Sequence, residues 1–391
     1  MKKKIVTLMS LFILSTVTAC SNSKSSDLMI SEFISGDDYN KVVEIYNNSD
    51  KELDLKNYAI GIYNVKDSAG SPSLKVNLEG KIASKGTYVI SNSKADSDIL
   101  SKTNQKSDDL NFGGKEGISL MFKNEDLDSI GTLGARNQNQ GMAYVRKTWM
   151  TTPSKVFNNT TDFLYYNAAD AVKYLGEFTN SVTQEDLIAG PKFVNDYLNK
   201  EFYQYTTSYF GTGGAVEVKI KSNVDGDTTD FYFPSEANIE EYAKSCVYNS
   251  NGKYSVKVRY QDVDTPETQV QNNKVEEWGW PAKLNTAKLQ NEAEHIYVQS
   301  NTNKAIVENY GRMLGFVFVV SGNDSKLVNF ETVKNGYTPN RLEFNGDIKY
   351  KDCPYYNYFV EALNYAMENE LGLYGQKDPY WDYTNNKSKQ L

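Results

Sequence analysis

Between residues 28 and 178 the apolar side chains come in short alternating runs, each ended within a few residues by a turn cluster. A period of two with hardly a helical repeat permits strands and little else. Leu28, Ile30 and Phe33 open the series, and Val42, Val43, Ile45 and Tyr46 form the next strand. Asn47-Asn48-Ser49-Asp50 then turns the chain before Leu53-Asp54-Leu55. Ile82 and Tyr88-Val89-Ile90 continue the pattern, and Ile118, Leu120 and Phe122 alternate before a turn at 124–126. Many short strands with frequent turns predict a β-sandwich over residues 28–178.

A chain of 391 residues is too long for one core of ordinary size, so a second domain is expected. Residues 179–214 read as a connector. Pro191 suits the first turn of a helix carrying Phe193, Val194, Tyr197 and Leu198, and Gly211-Thr212-Gly213-Gly214 reads as a hinge. That glycine cluster leads into a strand, the reverse of a phosphate-cradling loop. Across residues 215–375, Val216, Val218 and Ile220 alternate into Asp225, and Val256 and Val258 alternate into Arg259. Residues 313–320 form an apolar strand, and helices are expected over 281–293, 327–334 and 358–370. Strands first and helices appended predict an α+β domain built on a small closed barrel of oligonucleotide-binding (OB) type. Residues 376–391 read as a C-terminal tail.

Asp225, Asp227, Asp262, Asp264 and Glu267 bring five carboxylates onto two β segments of that domain. Residues two apart in a strand share a face, so Asp225/Asp227 and Asp262/Asp264 form natural pairs. Converging carboxylates repel, and a divalent cation removes that cost. All-oxygen ligation without Cys or His favours calcium, magnesium or manganese over zinc. Taken alone, Asp225-Gly226-Asp227 also reads as a solvated turn. Arg259, five residues before Asp264, and Arg312, after Tyr310-Gly311, supply guanidiniums that can grip phosphate oxygens. The net charge of -8 argues against a protein that stores nucleic acid by electrostatics alone, though not against one that turns it over. The single His, His295, and Trp278-Gly279-Trp280 read as structural. Residues 236–245 read as helical and precede Cys246, which with Cys353 makes either a disulfide or two buried thiols.

Asp225-Gly226-Asp227-Thr228, then Arg259 in register with Asp264-Thr265-Pro266-Glu267-Thr268, then Tyr310-Gly311-Arg312, resembles the thermonuclease (staphylococcal-nuclease-like) family. The resemblance implies hydrolysis of phosphodiester bonds in DNA and RNA, leaving 3'-phosphates, with Ca2+ as cofactor. It implies that Asp227 and Asp264 bind the metal through carboxylates and Thr265 through its carbonyl. Glu267 either positions or deprotonates the attacking water, and Arg259 and Arg312 hold the phosphate. Base stacking is assigned to Tyr310 or Tyr337, with Leu342 and Phe344 as further candidates. Residues 234–254 are an insertion longer than the family's usual hairpin, and Asn309 departs from the Lys frequent in the family. The rival reading is a non-catalytic surface module that binds nucleic acid or host polymers.

Ile30-Ser31-Glu32, Val43-Glu44-Ile45-Tyr46-Asn47, Leu53-Asp54-Leu55-Lys56-Asn57-Tyr58 and Asp128-Ser129-Ile130-Gly131 resemble a lamin-tail domain. That implies an immunoglobulin-like sandwich, used for adhesion, targeting or spacing toward a surface or polymer partner. At the start of the chain, Lys2-Lys3-Lys4 precedes an apolar run over 5–17 that ends in Val17-Thr18-Ala19-Cys20. This string resembles a bacterial lipobox. It implies a signal peptide over 1–19, a lipidated Cys20 with a tether over 20–27, and a mature chain anchored outside the cytoplasmic membrane; separately, the chain is expected to be a monomer.

Overall fold

The computed structural model describes residues 27–241, 247–249, 253–269, 275–339, 353–385 and 387–389. Cys20, Cys246, Leu342 and Phe344 lie outside them.

Two main sheets make up the N-terminal domain, beside a short two-stranded ladder of Leu53–Asp54 with Lys81–Ile82. Their strands are β1 Leu28–Ser35, β2 Lys41–Asn47, β3 Tyr58–Tyr63, β4 Leu74–Asn77 and β5 Thr87–Ser91, followed by β6 Gln105–Lys106, β7 Gly117–Phe122, β8 Glu125–Ile130, β9 Met142–Arg146 and β10 Phe163–Asn167. One sheet has six strands in the order β10-β9-β1-β2-β5-β6, and the other has four, β8-β7-β3-β4. This is the sandwich the alternation predicted. The uneven spacing of Leu28, Ile30 and Phe33 has a local cause: the β1–β2 register slips between Ile30 and Glu32, a bulge that keeps all three side chains in the core. The larger sheet is covered on both faces. Ile34, Val42, Val89 and Val145 pack on its outer side under Ala171, Tyr174 and Leu175.

Double coverage buries two acids. Glu32 and Glu44 are cross-strand partners on the outer face, each about 1% exposed. Glu44 accepts hydrogen bonds from Ser31 Oγ at 2.7 Å and Gly176 N at 2.6 Å. Burial pushes its pKa up to about 7, against weaker lowering by those hydrogen bonds and by Lys102. Burial and then the neighbouring Glu44 carboxyl hold Glu32 well above its usual value too. Both folded-state pKa values exceed the unfolded ones, so folding takes up protons. Stability is therefore greatest below about pH 4.5 for Glu44 and is lost as pH rises through about 7. Glu44→Gln should flatten this part of the melting temperature–pH profile, because the amide can bond Ser31 and Gly176 without a charge. Superimposable wild-type and E44Q profiles from pH 4 to 8 would exclude it.

The connector is ordered. Its expected helix is a 3-10 turn, Asn195–Asn199, because Phe193 leaves the helical path to stack on Tyr297 at 4.4 Å. Strands β11 Tyr203–Tyr205 and β12 Tyr209–Thr212 make a hairpin. The glycine cluster is a tight crossing rather than a hinge, since a Cβ on Gly214 would lie 2.1 Å from the Glu201 carbonyl.

The second domain has β13 Ala215–Asn223, β14 Thr228–Pro234, β15 Val247–Asn249, β16 Lys253–Tyr260, β17 His295–Gln299, β18 Thr302–Ala305, β19 Met313–Ser321 and β20 Asp324–Leu327. The order β16-β14-β13-β17-β19 closes on itself through a parallel β16–β19 pairing, giving a five-stranded barrel. This agrees with the OB-type expectation. Phe231, Phe233, Val256, Val258, Val298 and Phe316 fill it. Of the helix expected over 236–245, residues 242–245 lie outside the described residues; its start is two 3-10 turns, Ser235–Ala237 and Ile239–Glu241, because Asn238 takes a left-handed φ of 49°. Helices α1 Gln184–Ala189, α2 Gly279–Asn291, α3 Val328–Lys334 and α4 Tyr356–Glu368 surround the barrel.

Helix α4 joins the two domains. Its Glu361 pairs with Lys147 of the sandwich at 2.6 Å, both side chains under 10% exposed. Asn357 accepts from Tyr165 N at 2.9 Å and donates to Tyr165 O at 3.0 Å, in effect extending β10. Asn364 donates to Thr160 O at 3.1 Å, and the Tyr165 and Tyr356 rings meet edge to face. Among the described residues, no helix is long and apolar enough to cross a membrane.

Candidate active site

The acids and arginines gather at one mouth of the barrel. Strand β13 runs into the Asp225 turn, where Val224 N and Asp225 N both donate to Thr228 O. Gly226 is required there by close approach: a Cβ would lie 2.7 Å from both Thr265 Oγ1 and the Ala282 Cβ of α2. Gly279 plays the same part at the start of α2, where a Cβ would lie 2.5 Å from the Glu267 carbonyl. These two glycines let the helix press the loop 261–268 against the Asp225 turn.

Asp227 is 1% exposed and fully engaged. Its Oδ2 accepts from Thr265 N at 2.6 Å and Thr265 Oγ1 at 3.0 Å. Its Oδ1 accepts from Thr228 Oγ1 at 3.0 Å and pairs with Arg259 Nη1. Arg259, opposite Thr228 across β14–β16, also reaches Asp264 Oδ1 through Nη2 at 2.7 Å. One guanidinium thus bridges both carboxylates expected to bind metal. Asp264 is fixed through its backbone, which exchanges hydrogen bonds with Thr338 Oγ1. Asn329, fully buried on α3, holds the base of the loop by donating to Gln261 O and accepting from Val317 N.

Glu267 stands at the rim, with its backbone paired to Glu276. Burial raises its pKa first, then the charge of Asp225; Arg259 opposes this, while Glu276 and Asp264 add to it. Asp225 is likewise raised by burial and lowered by Arg259, Thr228 and Arg312. Arg312 donates through Nε to Glu308, and its guanidinium lies 5.9 Å from the Tyr310 ring centre. Asp225 therefore feels Arg259 and Arg312, and Glu267 feels Asp225, whereas Asp262 lies past the end of β16 with a left-handed φ of 62°. Tyr310 is 85% exposed beside them. Tyr337 is half-buried against Trp278, 6.0 Å between ring centres. Trp278 is buried, and exposed His295 pairs with Glu217 at 2.9 Å.

Sequence reasoning places Asp225 among the converging acids, and it lies within the field of both guanidiniums. That reasoning passes over one partner. Glu308 positions Arg312, and its only sequence signal is the four-residue spacing to an arginine.

By donor type the site fits a hard divalent cation, because Asp225, Asp227, Asp264 and Glu267 outnumber Arg259 and a Glu308-engaged Arg312. By arrangement, Arg259 already occupies an oxygen of Asp227 and one of Asp264. Among the described residues no three His, Cys, Asp or Glu stand close enough to hold a metal ion together. A cation would therefore share or displace the guanidinium.

Residues 257–375 match the family model described as Staphylococcal nuclease homologue, and residues 21–134 match the Lamin Tail Domain model. The chain carries both domains, in that order. The nuclease-homologue match starts at β16, so the Asp225 turn lies upstream of it. An uncharacterized protein of Methanocaldococcus jannaschii is 28% identical over 203 residues, covering 47% of this chain and 80% of that protein.

Proposed function

We propose that this chain is a calcium-dependent nuclease, exported and anchored by lipid at Cys20, that hydrolyses phosphodiester bonds of DNA and RNA and leaves 3'-phosphates. The observation that carries the reading is Arg259 bridging Asp227 and Asp264, with Glu267, Asp225 and Arg312 in the same field. The nuclease-homologue match supports it. Asp227, Asp264 and the Thr265 carbonyl would hold the cation, which when bound supplies Lewis acidity toward a phosphoryl oxygen. Arg259 and Arg312 grip the non-bridging oxygens and oppose the charge that grows on them. Glu267 orients a water at the rim and can accept its proton, and its neighbouring acids favour that uptake. The lamin-tail domain serves as a docked spacer or surface-binding module.

Purified residues 21–391 should degrade single-stranded DNA in calcium and stop on chelation. Glu267→Ser should lose most of the rate while still binding the oligonucleotide. Binding without cleavage at every calcium concentration would favour the non-catalytic module. The anchor has its own test: the wild type should incorporate a labelled fatty acid and Cys20→Ala should not, and an unlabelled wild type would exclude lipidation there.

A further inference from the structure

The β11–β12 hairpin belongs to the connector, upstream of the residues matching the nuclease family. It nevertheless hydrogen-bonds into the segment that carries Arg312. Strand β12 pairs with β18, Phe210 opposite Ala305 and Thr212 opposite Thr302, and Ile306 N donates to Tyr209 O at 3.1 Å. Between hairpin and segment lies an open cavity of about 700 Å³, lined by Tyr205, Tyr209, Val307, Glu308 and Tyr310 among others. Tyr205 is 67% exposed and Tyr310 85% exposed, while the Tyr205 and Tyr209 rings lean together at 4.9 Å. Among the described residues, the one charged group in the lining, Glu308, is paired with Arg312.

We propose that this hairpin builds a stacking subsite for one unpaired nucleobase of a single-stranded nucleic acid whose phosphate is held at Arg312. The inference rests on the nuclease reading and extends it to substrate class. Flat aromatic faces left in water beside a phosphate-gripping guanidinium are what base stacking uses, and every base offers a matching face. Glu308 is neutralised by its partner, so an uncharged ring meets no unpaired acid in the lining. A base-paired duplex keeps its bases stacked on one another and offers none to Tyr205.

The test uses the mature full-length protein and a short single-stranded oligodeoxynucleotide in which one abasic position is moved along the strand. Tyr205→Ala should raise KM about tenfold with kcat nearly unchanged, and Tyr205→Trp should restore it. In the wild type, the abasic site at one particular position should cause the same loss, and Y205A should show no further loss there. Equal Y205A losses on all substrates, the abasic one included, would overturn the subsite, as would no loss at all. Anisotropy in chelator, with a phosphorothioate strand, separates the two readings. Position-dependent binding without any cleavage in calcium keeps the subsite and removes the nuclease. A soluble neutral glucan that competes for the cavity in place of the oligonucleotide would assign it to a saccharide and overturn the proposal.

Discussion

Arg259→Ala is expected to slow phosphodiester cleavage by about 10²–10³-fold, the usual loss when one preorganised charge stabiliser is removed. The geometry adds a second expectation. The same guanidinium is held by an oxygen of Asp227 and one of Asp264, the carboxylates assigned to the cation. Removing it frees both oxygens, so the variant should bind calcium more tightly while turning over more slowly. Titration calorimetry reads the first change and single-turnover cleavage the second. Arg259→Lys should behave almost like alanine in rate, because an ammonium is a point charge and cannot grip two phosphate oxygens in a fixed fork. A variant that lost rate and calcium affinity together would show that Arg259 organises the acids rather than competing for them.

Such opposed effects are not visible in the sequence, although the residues are. Arg259, Asp264, Thr265 and Glu267 lie within nine positions of one another, and an arginine beside a cluster of acids is a chemical pattern that needs no coordinates. The barrel is legible for a similar reason: Val256, Val258 and the apolar run at 313–320 alternate or persist as buried strands must. What cannot be read is the direction in which each charge is spent. Spacing does not say that Asp227 gives all its acceptor capacity to Thr265, Thr228 and Arg259, because Thr265 reaches it only once α2 presses the loop down. Nor does it say that Tyr337 turns toward Trp278 while Tyr310 stays in water. The insertion misleads for a local reason, since one left-handed residue, Asn238, breaks a stretch whose composition suits a helix. Burial of Glu32 and Glu44 is likewise hidden, because a period of two marks an outer face as polar and cannot show that a later segment covers it.

Lys147→Met should destabilise the whole protein by about 3–5 kcal/mol, the usual cost of removing one partner of a buried ion pair. The side chains of Lys147 and Glu361 are 2% and 7% exposed. Lys147 Nζ also donates to Thr160 O at 3.0 Å, and Glu361 accepts a weaker bond from Gln184 Nε2 at 3.3 Å. Among the described residues, Glu361 without the lysine keeps only that amide, and it must be buried charged or take up a proton. Lys147→Met combined with Glu361→Leu removes both charges and keeps the volume, so it should recover most of the loss. Urea unfolding of wild type, both single variants and the double variant measures the coupling directly. The result bears on the proposed function because the pair fastens the sandwich to α4, whose Phe359 and Ala362 sit in the core the nuclease-homologue domain shares with it. If the lamin-tail domain were a loose tether, breaking this contact would leave the nuclease-homologue domain's unfolding midpoint where it was. If instead the two domains form one cooperative unit, K147M should lower the midpoint reported from both domains together and lower cleavage at 37 °C in parallel, with the double variant restoring both.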